Sequence, residues 1–75
     1  MPDEYSTKDL AEAGALIIKK QPLIRINREG QTCWFVFKNR RDCEKISIQF
    51  FFGELLTNAR EYHEVLNRLK SRIFA

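Results

Sequence analysis

The 75-residue chain reads as a small α+β domain of order α-β-β-α-α, one antiparallel β-hairpin covered on one face by three helices. Two observations carry that reading. Two apolar runs, Leu23–Ile26 and Cys33–Phe37, flank a polar centre at Glu29-Gly30, and β signal is scarce elsewhere. Three other segments repeat apolar residues at three- and four-residue spacing, the period of a helix with one buried face. A single domain over residues 1–75 is expected, with residues 1–5 as a loosely ordered lead.

The first helix is expected over about Lys8–Lys20. Ser6 or Thr7 is placed to cap its free amides, and Asp9 suits the positive end of the dipole. Leu10, Ala13, Gly14, Ile17 and Ile18 make its stripe, with the small Ala13 and Gly14 letting it lie close to the sheet. Pro22 stops it.

With a two-residue turn at Glu29-Gly30, Ile26 faces Cys33, Ile24 faces Phe35 and Pro22 faces Phe37. Side chains alternate across a strand. One face then carries Ile24, Ile26, Cys33, Phe35 and Phe37, and should meet the helices. The other carries Leu23, Arg25, Asn27, Thr32, Trp34, Val36 and Lys38, with Arg25 directly opposite Trp34.

The second helix is expected over Arg40–Phe52, with Asn39 as its N-cap. Cys43, Ile46 and Phe50 form one stripe; Ile48, Phe51, Phe52 and Leu55 form another. A helix apolar on two sides must touch two things, such as the sheet and the third helix, or a second chain. Gly53 ends it. The third helix should run from Asn58 to Ile73. Asn58-Ala59-Arg60-Glu61 has capping-box spacing, and Tyr62, Val65, Leu66, Leu69 and Ile73 make a clean stripe. Glu64 and Arg68 are spaced for an ion pair on its outer side.

The net charge of +3 is unevenly placed. Residues 1–18 carry −3, residues 19–41 carry +6, and residues 42–75 balance. The basic excess therefore belongs to the hairpin and its shoulders, Lys19, Lys20, Arg28, Arg40 and Arg41. No apolar run approaches the ~18 residues of a membrane span, and the acidic, polar start is unlike a signal peptide. The expected location is cytoplasmic, where Cys33 and Cys43 would stay reduced.

An aromatic ring beside cations on a β-surface can stack on a base while the cations meet phosphate. Arg25, Arg28, Trp34, Lys38, Arg40 and Arg41 are the candidate nucleic-acid contacts. In the plainer alternative, Arg25 lies over Trp34 as a cross-strand cation–π pair and the charges only solvate the surface. Leu23, Trp34 and Val36 on the same face are the candidate contacts for a homodimer. Catalysis has little support. His63 is the only histidine, and with Cys33 and Cys43 it shows no paired metal-ligand spacing. No Gly-rich phosphate loop or nucleophile motif is present. No enzyme, no cofactor, no metal, no membrane and no small-molecule substrate are expected.

From about Thr7 to Phe74 the chain resembles a family of small, uncharacterised bacterial and phage domains of unknown function. The residues that carry it are T-K-D-L-A near the start, W-F-V-F-K-N-R-R-D-C-E-K after the turn, and A-R-E-Y-H-E-V-L-N-R-L-K-S-R-I-F at the end. The resemblance implies a bacterial or phage α+β protein and brings no catalytic residue or ligand with it. The expectation is a non-enzymatic binding module acting through the outer hairpin face and its basic shoulders, with nucleic acid as ligand. The alternative is a module that self-associates through the hairpin.

Overall fold

In the computed structural model, which describes residues 3–74, the elements run β1 (Glu4–Thr7), α1 (Leu10–Ile18), β2 (Leu23–Glu29), β3 (Thr32–Lys38), α2 (Arg40–Phe51) and α3 (Ala59–Ile73). The class is α+β as expected, but the sheet has three antiparallel strands in the order β1-β3-β2. The strand absent from the sequence reading is β1. Glu4 pairs with Lys38, Tyr5 with Phe37, Ser6 with Val36 and Thr7 with Phe35. Residues 4 and 5 of the expected loose lead are thus tied to the sheet, and residues 1–2 lie outside the described residues. Four residues with a single apolar ring give too short an alternation to be seen as a strand.

With Thr7 in the strand, Asp9 caps α1. Its carboxylate accepts from the Ala11 and Glu12 amides. The helix closes in a Schellman motif. The Gln21 amide donates to the Leu16 carbonyl and the Lys20 amide to the Ile17 carbonyl, with Lys20 left-handed at φ 69°. The same motif ends α2 through Glu54 to Gln49 and Gly53 to Phe50, with glycine at the left-handed position, φ 71°.

The hairpin turns at Gly30-Gln31, one residue later than expected. Glu29 pairs with Thr32, Asn27 with Trp34, Arg25 with Val36 and Leu23 with Phe37. Gly30 has positive φ and stands first in the turn, where a type II′ turn takes glycine. The register shift is two residues, so the faces survive and only the opposite neighbours change. An irregularity between Leu23 and Arg25 then reverses the strand's start. Leu23 packs against the core, while Ile24, expected inside, is exposed.

All three helices cover one face of the sheet. The core is Ala13 and Leu16 of α1, Phe35 and Phe37 of β3, Cys43 of α2, and Val65 and Leu69 of α3. Gly14 faces α3 rather than the sheet. A Cβ there would stand 2.8 Å from a Leu66 methyl carbon and 3.1 Å from the Tyr62 ring, so glycine sets how closely α1 and α3 approach. The Tyr62 hydroxyl donates to the Ala11 carbonyl at 2.8 Å across the same seam. Near β1, the Tyr5 and Ser47 hydroxyls both donate to the Glu12 carboxylate, joining β1, α1 and α2.

Asn39 stands at the N-cap of α2 but is left-handed, φ 63°, and its side chain caps nothing. Asp3 does that work instead, accepting the Arg40 amide at 3.0 Å. On α3, Asn58 caps through the Glu61 amide as expected. The ion pair on its outer side is Arg60–Glu64, not Glu64–Arg68.

Candidate functional site

The outer face of the sheet has no helix on it, but it is not the surface the sequence implied. Val36 lies on this face, outside the core cluster, yet is only 2% exposed. Its cover follows from the topology. Arg25 on β2 and Glu4 on β1 flank β3 and join in a bidentate pair, with N–O distances of 2.9 and 3.1 Å. That pair must cross β3, and Val36 sits between Arg25 and Ser6 beneath it.

The expected Arg25–Trp34 neighbours are therefore separated. Arg25 stands opposite Val36, and Trp34, half-buried, stands opposite Asn27. Glu4 holds Arg25, and the Arg25 guanidinium in turn holds the Glu4 carboxyl below its usual range. Arg40 is also engaged, donating to Glu44 at 2.8 Å and to the Glu4 carbonyl at 3.1 Å. Lys38 and Arg41 remain exposed. The three proposed dimer contacts do not make one patch. Leu23 is half-buried and packs against the core, Val36 is covered, and Trp34 is half-buried.

Arg28 is not on that face at all. It pairs with Cys33, on the helix side of the sheet, and its guanidinium donates to the Ile73 carbonyl at the end of α3. There it lines two grooves. The first, about 370 Å³, runs along β2 and is lined by Leu23, Ile24, Arg25, Ile26, Arg28, Arg72 and Ile73. The second, about 320 Å³, has Lys8, Leu10, Arg28, Cys33, Phe35 and Phe74 among its lining residues. Arg28 and Ile73 belong to both, so the grooves adjoin. Neither contains an aspartate or glutamate. Arg25 turns its guanidinium away to Glu4, which leaves Arg28, Arg72 and Lys8 as the positive charge. Phe74, 80% exposed, adds an open aromatic ring.

Arg72 and Phe74 escaped the sequence reading. Arg72 looks like an ordinary cation at a helix C-terminus, and only tertiary packing brings it to β2, more than forty residues earlier. The alternation of the strand did carry a signal for Arg28. An arginine in register with Ile26 and Cys33 must leave the sheet on the helix side.

Of the groups considered for catalysis, Cys33 lines the second groove, while Cys43 and His63 lie outside both. Cys43 is buried, its thiol donates to the Lys38 carbonyl at 3.3 Å, and burial together with nearby carboxylates pushes it up to about 11. Cys33 and Cys43 are both free, and His63 is exposed on α3. Among the described residues no three His, Cys, Asp or Glu side chains gather as a metal site, and no helix is long and apolar enough to cross a membrane. No family model, curated protein or solved structure matches the chain.

Proposed function

We propose that the protein is a non-enzymatic module that binds single-stranded nucleic acid along the two adjoining grooves at β2 and the end of α3. The observation that carries this is the lining itself: Lys8 from the β1–α1 connector, Arg28 from β2 and Arg72 from α3 converge with an exposed aromatic ring and no acidic residue. Cations track the phosphate backbone, and an open ring gives a base a stacking platform. Aliphatic side chains between them, Ile24, Ile26 and Ile73, suit the apolar edges of sugars and bases. Lys38 and Arg41 supply further positive potential, while Arg25 and Arg40 serve the fold.

Fluorescence anisotropy of a labelled single-stranded oligonucleotide tests the reading. Binding should weaken with rising salt. Arg28→Ala and Arg72→Ala should each flatten the salt dependence by about one phosphate contact. Phe74→Ala should weaken binding by roughly 1–3 kcal/mol if one base stacks there. Trp34, on the opposite face of the sheet, separates the two faces. Its emission should stay unchanged on binding in the grooves and would be quenched by a ligand on the outer face. No binding at low salt, or binding indifferent to Arg28, Arg72 and Phe74, would sink the proposal.

A further inference from the structure

The second apolar stripe of α2 is left largely uncovered by the described residues. Ile48, Phe51 and Phe52 are 58%, 82% and 69% exposed, and Leu56 in the connector that follows is 87% exposed. The Phe51 and Phe52 rings meet edge to face, with centroids 5.3 Å apart and planes at 86°, and form a single aromatic knob. The Schellman motif at Gly53 fixes where that knob ends, and the Lys19 ammonium holds the connector by the Leu56 carbonyl at 2.7 Å. Ile48 and Phe51 stand on the last turn of a well-terminated helix and Phe52 at its C-cap.

We infer that this end of α2 is the interface of a two-fold homodimer. The first argument is area. Four large side chains at these exposures offer on the order of 500 Å² of apolar surface, at the upper end for a patch on a monomer. Two copies face to face bury on the order of 1,000 Å², the size at which a specific interface begins. The second argument is self-complementarity. A two-fold axis across α2 between Gln49 and Phe50 brings Ile48 against the partner's Phe51. The same antiparallel arrangement sets Lys45, one turn before Ile48, at the end of the patch where the partner's chain leaves its helix toward Glu54. Lys45 and Glu54 are both exposed, and neither has an ion-pair partner among the described residues. One axis thus pairs apolar with apolar and sets positive toward negative, as an isologous contact requires. This surface is distinct from the hairpin face and does not rest on nucleic-acid binding.

Sedimentation equilibrium of the intact chain from about 1 to 500 μM tests it. The mass should rise from 8.9 kDa toward twice that value with concentration, with a dissociation constant of about micromolar order for so small an interface. Phe51→Ala should weaken the dimer by at least about tenfold, as truncating a central aromatic does. Both rings are exposed, so circular dichroism should show the variant folded. Lys45→Glu should weaken association by setting a negative charge toward the partner's Glu54, and adding Glu54→Lys should restore it. A monomer at every concentration overturns the inference and leaves the patch to a partner of another kind. A dimer indifferent to Phe51→Ala overturns it as well, and a charge reversal without effect overturns the axis.

Discussion

Lys20 and Gly53 occupy the same position in the same helix-ending motif, and only one of them is glycine. A left-handed backbone costs an L-residue about 1–2 kcal/mol, partly offset because glycine has more freedom to lose on folding. Lys20→Gly should therefore stabilise the protein by about 0.5–1 kcal/mol. Gly53→Ala should destabilise it by a similar amount, since an added Cβ meets only open space and the cost is conformational alone. Urea denaturation of the two variants checks both signs. Pro22 marks the helix end in the sequence but not this geometry, because a lysine gives no hint that it must turn left-handed. Asn39 is the reverse case. Its type suggests a side-chain cap, whereas the structure uses its tolerance of positive φ and takes the cap from Asp3.

The hairpin shows best what the sequence could and could not disclose about the elements. Period-two alternation separated the faces of Ile26, Cys33, Phe35 and Phe37 correctly, because those faces do not depend on a two-residue shift. It could not settle which residues stand opposite each other, since that depends on one turn residue and on the irregularity at Ile24. Nor could it see β1, whose worth lies in what it brings to other elements. Glu4 closes over β3 with Arg25, so the Glu4 carboxyl should titrate below its ordinary value of 4.5. Arg25→Gln should return it there, as followed by NMR through its side-chain carbon. The sign follows: a lowered folded-state pKa favours folding above the ordinary value, and that contribution is lost on acidification. The candidate site was half legible for the same reason. Arg28 could be placed from the strand, while Arg72 and Phe74 had to be carried there by the packing of α3.

For the molecule as a whole, the buried Cys43 thiol and the half-buried Tyr5 and Tyr62 phenols should make stability depend on pH in alkali. Cys43 is held up to about 11 by burial, and burial also raises Tyr5 and Tyr62. The unfolded chain loses its thiol proton from about pH 8.5–9 while the folded one keeps it. Stability should therefore fall between about pH 9 and about 11, with the tyrosines extending the decline beyond. Cys43→Ala, less stable overall, should show a flatter dependence across that first interval. Denaturation midpoints measured from pH 7 to 11 would settle it, and a parallel decline in both proteins would contradict the assignment.

The short strand β1 also bears on the order in which the chain assembles. Its partner β3 lies some thirty residues away, whereas β2 and β3 meet across a two-residue turn, so pairing β1 closes a far longer loop than forming the hairpin does. Docking β1 seats Tyr5 beside Glu12, brings Asp3 to the first amide of α2 and places Glu4 over Val36. Three separate parts of the protein are completed in that one step. Fraying of a four-residue edge strand would release all three together, which makes the smallest element the latch of the fold.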